Sequence, residues 1–376
     1  MVMDNAHRIA REILEIADIT VNGERPWDLR IRNDDFFARV IAGGSLALGE
    51  SYMDGWWDCD QLDELIVRIL SNDLQEKVRP SLRLALLWLK SVFLNVQRKS
   101  RAYNIAERHY DLGNDLYRLM LDKGMNYSCG YWKHAKNLDK AQEDKLELIC
   151  RKISLEKGMR VLDIGCGWGG FARHAAERYG AQVVGITVSR EQADLARERC
   201  RDLPIEIRLQ DYRDLDGRFD RIVSVGMIEH VGFKNYRRYM QVAARCLAPE
   251  GLFLLHTIGT NISARYTDPW IDKYIFPDSM LPSLHQLTGA AEGLFKIEDV
   301  HSFGQYYDPT LLAWNRNFTA GWERIKDRYG DRFFRLWHYY LLSTAASFRA
   351  RQSQLWQIVL SPFKSISVHE GIRDSF

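Results

Sequence analysis

The stretch Val161-Leu-Asp-Ile-Gly-Cys-Gly-Trp-Gly-Gly170 holds four glycines within six residues, directly after a short apolar run. Arg160 to Leu162 reads as a buried parallel strand, and Phe171 to Tyr179 as the helix that follows it. A strand, a glycine-rich turn and a helix N-terminus together build a cradle for a nucleotide, since glycines let the backbone pass where a Cβ would collide. The spacing Gly165-x-Gly167-x-x-Gly170 also satisfies the dinucleotide fingerprint, so the glycines alone do not choose a cofactor. A nicotinamide site wants an acid about 20 residues on, at the end of the second strand, to hold the ribose hydroxyls. Here that strand ends in Thr187-Val-Ser-Arg-Glu-Gln192, and Glu191 comes too late for the role.

With Asp163 two residues before the first glycine, the pattern Asp-x-Gly-x-Gly-x-Gly resembles the first motif of S-adenosylmethionine-dependent methyltransferases. The chain beyond it alternates regularly. Strands are expected over 181–188, 204–210, 219–227, 251–258 and 295–302. Helices are expected over 190–200 and 235–247, then around Leu311 to Ile325 and over 331–348, with Leu355 to Leu360 as a closing strand. The expected fold is α/β: a doubly wound, Rossmann-like class I methyltransferase fold with a smaller α+β N-terminal domain.

At 376 residues and 46% hydrophobic, the chain is large enough for two domains, and a net charge of +2 argues against a nucleic-acid binder. Six cysteines show no paired or metal-binding spacing, so neither disulfides nor a metal are expected, and a reducing cytoplasm is the default. Residues 5–17 read as a helix burying Ile9, Ile13 and Ile16. Asn22-Gly23 is a hairpin signal, Asp34 to Ile41 a helix, and Gly43 to Asp58 a glycine- and aromatic-rich segment without helical periodicity. From Arg79 to Arg101 there are six cations and no acid, interleaved with leucines, Trp88 and Phe93. Such a stretch suits an anionic membrane surface, or else packs on its own protein. The expected division is residues 1–78 as a lipid-binding or accessory domain, 79–102 as a basic amphipathic linker, and 103–376 as the catalytic domain. A helix over 138–153 leads into the cofactor strand, and the segment before it can fold over the cofactor.

Ligands of an open α/β sheet bind beyond the carboxyl ends of its strands. There the sequence places Glu229, His256 with Ile258, and Tyr307, with Cys129 on the segment that precedes the cofactor strand. Glu229 stands out, because an acid immediately after an apolar strand is costly to bury without a partner. The runs His109-Tyr-Asp-Leu-Gly-Asn-Asp, Tyr127-Ser-Cys, Val161 to Gly170, Gly226-Met-Ile-Glu-His-Val-Gly and Leu254-Leu-His-Thr-Ile-Gly resemble the cyclopropane-fatty-acyl-phospholipid synthases. Gly44-Ser-Leu-Ala-Leu-Gly-Glu-Ser-Tyr-Met-Asp-Gly-Trp-Trp extends the likeness over nearly the whole chain.

The resemblance implies methylene transfer from S-adenosylmethionine to a cis double bond in the acyl chain of a membrane phospholipid. It implies that Cys129, Glu229, His256, Tyr307 and the backbone at Ile258 hold bicarbonate, the proton acceptor. Tyr127, Ser128, Asp163, Gly165, Cys166, Gly167, Trp168, Gly169, Thr187, Ser189, Gln192, Gln210 and Asp211 would line the cofactor. A homodimer in the cytoplasm, on the inner face of the membrane, is expected. Two other readings stay open at this stage: a methyltransferase acting on a headgroup amine or small molecule, and a lipid binder with a vestigial cofactor fold.

Overall fold

The computed structural model describes residues 10–74 and 113–374. The basic stretch from Arg79 to Arg101, both expected domain boundaries and His109 to Leu112 therefore lie outside the described residues. A two-stranded ribbon, β1 (Arg30–Ile31) with β2 (Trp57–Asp58), precedes a seven-stranded sheet. That sheet comprises β3 (Arg160–Ile164), β4 (Gln182–Thr187), β5 (Ile205–Leu209), β6 (Phe219–Val225), β7 (Leu247–Thr260), β8 (Phe295–Ser302) and β9 (Ser353–Pro362). Its order is β5-β4-β3-β6-β7-β9-β8, with β9 antiparallel to both neighbours and the pairs from β5 to β7 all parallel. Helices cover both faces, which is why the inner parallel strands β3 and β4 are buried along nearly their whole length, whereas the edge strand β5 (Ile205-Glu-Ile-Arg-Leu209) alternates. The winding direction reverses between β3 and β6, and this switch point is where such sheets open a crevice.

The last strand does not close the sheet at its edge. It inserts between β7 and β8, which sets Gln357 opposite His256. Leu355, Ile358, Val359 and Leu360 are buried there, as a central strand requires.

The N-terminal part departs from its local signals. Asn22-Gly23 does not form a hairpin: Val21 bridges Leu29 in the parallel sense, and Arg30–Ile31 pair with Trp57–Asp58 instead. The cause is Asp28, whose buried carboxylate accepts from Thr20 N (2.8 Å), Arg25 N (3.0 Å) and Arg25 Nε (3.1 Å) and folds the loop around itself. Burial by itself raises the Asp28 carboxyl, but these donors outweigh it and hold the group below its ordinary 3.8. Asp28→Asn is expected to cost about 2 kcal/mol in urea unfolding at pH 7. This contribution is present above pH about 4 and fades as the pH falls through the lowered value, so the variant and parent converge in acid.

Gly43 to Met53 is helical, part of one helix Phe36–Met53 that Gly44 interrupts with φ 57° and ψ −140°. Glycine adopts that geometry without a Cβ clash. The kink turns Leu46, Tyr52 and Met53 into a core shared with the helix Asp331–Arg349. Ile16, at the end of the helix 10–16, is 57% exposed rather than on the buried face.

The ring of Tyr52 lies 5.0 Å from Trp57 and 5.6 Å from Tyr339, and Trp270 lies 4.8 Å from Tyr339. Arg335 covers Tyr52 at 4.0 Å and donates to Trp57 O at 2.8 Å. One apolar cluster thus runs from Ala17 through Trp314 to Leu355. No described helix is long and apolar enough to cross a membrane.

Candidate active site

A cavity of about 180 Å³ opens at the switch point. Its floor is the turn after β3, where Gly165 and Cys166 both donate to Ile186 O, at 3.0 and 2.9 Å. Gly165 (φ +86°) and Gly167 (φ +53°) hold backbone geometry that other residues rarely adopt, and this exposes the chain to a ligand. Tyr127, Ser128, Asp163, Gly165, Cys166, Gly167, Trp168, Thr187, Gln192, Gln210 and Asp211 all line the cavity. Gly169 and Ser189 stand one step back as the N-caps of the helices Gly170–Tyr179 and Arg190–Arg199.

The lining is held by its own hydrogen bonds. Trp168 Nε1 donates to Asn114 Oδ1 (2.8 Å), the Tyr127 and Tyr340 hydroxyls are 2.9 Å apart, and Thr187 Oγ1 donates to Gln192 Oε1 (2.8 Å). Sequence reasoning missed Lys145, Met227 and His230, which also line it. Lys145 sits in the charged helix Leu138–Lys152, whose composition reads as solvent-facing.

A second group of polar side chains gathers at the ends of β6 and β7. Glu229 lies in a single 3-10 turn, Ile228–His230, directly after β6. Buried, it accepts from Ile258 N at 2.8 Å through Oε1, while Oε2 has no hydrogen-bond partner among the described residues. Burial pushes its carboxyl up to about 7. The Ile258 N–H is therefore the anchor of Glu229.

His256, on β7, is buried with Gln357 Nε2 3.3 Å from Nδ1 and with Nε2 unpartnered among the described residues. Gln357 Oε1 is also without a partner among the described residues, so this amide pairs with Nδ1 in either orientation; with its N–H₂ turned to Nδ1, as it lies here, the ring proton sits on Nε2. Burial, then the charges of Lys145 and Lys152, hold the ring well below 6.5, so it is neutral.

Cys129 is fully buried and its thiol donates to Gly130 O at 3.3 Å; burial pushes it well up, and it stays protonated. Gly130 N donates to Thr310 Oγ1 at 3.1 Å, fixing the Cys129 loop to the helix Tyr307–Gly321. Tyr307 opens that helix, its ring 4.6 Å from Phe348 and 6.0 Å from Trp314. Phe303 bridges the two sides, 5.8 Å from His256 and 5.4 Å from Tyr131. Ile258 links Glu229 to the His256 strand directly, whereas Cys129 and Tyr307 join through Thr310, a residue no sequence signal marked.

The sheet order and the glycine cradle define a class I S-adenosylmethionine-dependent methyltransferase fold. Solved structures share it: the mycolic acid cyclopropane synthase CmaA1 complexed with SAH and CTAB (TM-score 0.65, 30% identity, covering 69% of this chain and 97% of that one). Coclaurine N-methyltransferase, at 22% identity and TM-score 0.70 over 84% of this chain and 98% of that one, shares the fold alone. Residues 97–358 match the mycolic acid cyclopropane synthetase family. Over 374 residues the chain is 53% identical to the cyclopropane-fatty-acyl-phospholipid synthase of Escherichia coli, covering 98% of this chain and 96% of that protein. It is 34% identical to the tuberculostearic acid methyltransferase UfaA1 of Mycobacterium tuberculosis, over 89% and 83% of the two chains. The chain belongs to the cyclopropane synthetase family and is an enzyme of the S-adenosylmethionine-dependent methyltransferase class.

Proposed function

We propose that the protein converts the cis double bond of an unsaturated acyl chain in a membrane phospholipid into a cyclopropane ring, with bicarbonate taking up the released proton. S-adenosylmethionine, when bound, supplies an electrophilic methyl group on a sulfonium. An isolated alkene is a poor nucleophile, so much of the rate must come from holding it in line within a dry site. The positive charge that develops on the acyl chain is stabilised by aromatic faces, and such faces are at hand: Tyr127, which lines the cofactor cavity, lies 5.1 Å from Trp314, and Trp314 lies 6.0 Å from Tyr307.

Ring closure requires an acceptor for a proton, and the neutral His256 and protonated Cys129 are poor ones. The observation that carries the reading is the pair of buried, unpartnered atoms Glu229 Oε2 and His256 Nε2. One accepts and the other donates. Bicarbonate, which has one O–H and two acceptor oxygens, fits that pair: Glu229 would take its hydroxyl and His256 would donate to its anionic edge. Tyr307 and Cys129 would complete the ring of contacts. Turnover is therefore expected to collapse in rigorously carbon dioxide-free buffer and to return when bicarbonate is added. Full turnover after depletion overturns the bicarbonate assignment.

The same reading takes residues 1–78 as the lipid-facing accessory part, 79–102 as the basic linker and 103–376 as the catalytic part, working as a homodimer on the cytoplasmic face of the membrane. The six cations from Arg79 to Arg101 support it, each worth about 1 kcal/mol at an anionic surface. Replacing Arg83, Lys90, Arg98 and Lys99 by glutamine is expected to weaken sedimentation with anionic vesicles at least roughly tenfold. Unchanged binding clears the stretch of that role. Deleting the N-terminal part is the poorer test, because residues 17–74 share a core with the helix Asp331–Arg349.

A further inference from the structure

Cys129 and Tyr307 reach the polar group from elements remote in the chain. Cys129 belongs to the irregular stretch 121–137, between the helices Asn114–Met120 and Leu138–Lys152, and Tyr307 is the first residue of the helix Tyr307–Gly321. Gln142 Nε2 donates to Ser128 O and Tyr131 N donates to Ala141 O, each at 2.7 Å, which ties the Cys129 loop to the helix that follows it. Neither contact fixes its distance from Tyr307.

Thr310 does that. It is fully buried, three residues after Tyr307, and its hydroxyl has one proton to give and two lone pairs to fill. All three are in use: Oγ1 accepts from Gly130 N at 3.1 Å and from Trp132 Nε1 at 2.8 Å, and donates to Tyr306 O at 2.7 Å. Gly130 and Tyr306 are the immediate neighbours of Cys129 and Tyr307, so one saturated hydroxyl joins the backbones that carry those two side chains. The approach is close, since a Cβ at Gly130 would lie 2.9 Å from Ala141 Cβ. The hydroxyl also bears on the thiol itself and tempers the rise that burial gives it.

We propose that Thr310 is a positioning residue for the proton-removal step: its hydroxyl holds Cys129 and Tyr307 at the separation that completes the ring of bicarbonate contacts begun by Glu229 and His256. This rests on the bicarbonate reading above. Exchanging the hydroxyl for a methyl leaves the buried N–H groups of Gly130 and Trp132 without their acceptor, and the loop must shift to find others. Tyr127 and Ser128, which line the cofactor cavity, keep their own anchors at Tyr340 and Gln142. The loss therefore falls on the anion and spares the nucleoside.

The test titrates bicarbonate into carbon dioxide-depleted buffer with the full chain acting on vesicles of cis-monounsaturated phospholipid, beside calorimetry of S-adenosylhomocysteine. In Thr310→Val the KM for bicarbonate is expected to rise roughly 10- to 30-fold, while kcat at saturating bicarbonate falls by less than about fivefold and nucleoside affinity stays within about threefold. Thr310→Ser keeps the hydroxyl, and its bicarbonate KM is expected within about threefold of the parent value. An unchanged bicarbonate KM in the valine variant, a serine variant no better than it, or a parallel loss of nucleoside affinity overturns the assignment. Should Thr310→Val not fold, Thr310→Ala takes its place, since alanine also lacks the hydroxyl and suits a helix. If neither folds, the hydroxyl serves the fold alone and the assignment falls. An unaltered enzyme that turns over fully without bicarbonate ends the bicarbonate reading and this one with it, and that outcome is seen before any variant is made.

Discussion

Glu229→Gln is expected to lower turnover by about three orders of magnitude while affinity for S-adenosylhomocysteine stays within about threefold. The amide keeps an oxygen for Ile258 N–H, so the turn after β6 should stay in place. What changes is the second atom. Oε2, an acceptor with nothing to accept from, becomes an N–H₂ that can only donate. An anion bearing one O–H is then held by donors alone and loses the partner that orients its hydroxyl. Single-turnover kinetics beside calorimetry separates the two readouts. A collapse in nucleoside affinity would move Glu229 into the cofactor cavity, and undiminished turnover would remove it from the chemistry.

The pH profile provides an internal check. With Glu229 raised to about 7, kcat/KM of the unaltered enzyme should fall about tenfold per unit below that value as the carboxylate takes a proton. In Glu229→Gln the carboxylate's share of that limb should be lost, leaving only the fall set by protonation of bicarbonate itself. His256, held well below 6.5, should add no inflection near neutrality.

The second large effect is on the fold. A Cβ at Gly259 would lie 2.0 Å from Trp356 Cζ3 and 2.6 Å from the carbonyl oxygen of Pro282. Both neighbours are fixed: Trp356 is buried in β9 within the β7–β9 pairing, and Pro282 O accepts from Thr260 N at 2.9 Å. Gly259→Ala is therefore expected to cost about 3 kcal/mol and to lower Tm by about 5 °C or more. Gly289→Ala is the control, since nothing lies within 4 Å of its added Cβ and alanine suits the helix Leu284–Ala291 better than glycine. Its Tm should hold or rise slightly. Equal melting of the two variants would mean that β7 and β9 can part there at little cost.

The contrast between these sites explains what the chain reveals when read alone. The strand, turn and helix from Arg160 to Tyr179 are legible because each obeys a local rule: apolar run, glycines at positive φ, helical periodicity. Glu229 was legible for a similar reason, as a charge placed where an apolar strand ends.

The misread parts depend on distant residues. Asn22-Gly23 carries a hairpin signal, but Asp28 organises that loop, and the strand finds its partner at Trp57–Asp58. Gly44 reads as a helix breaker, yet the segment after it coils because the helix Asp331–Arg349 offers a core. Lys145, Thr310 and Gln357 matter through contacts with Ser128, Gly130 and His256, and only the folded sheet supplies those neighbours.

Vesicles of cis-monounsaturated phospholipid, incubated with the enzyme and S-adenosylmethionine bearing a trideuterated methyl group, offer the sharpest test of cyclopropane formation. The acyl chains should gain a carbon carrying two of the three deuteriums, in a ring that has consumed the double bond, with the third deuterium released to the acceptor beside Glu229. Acyl chains that gain no carbon, or that gain one retaining all three deuteriums, would contradict methylene transfer with proton removal at this site.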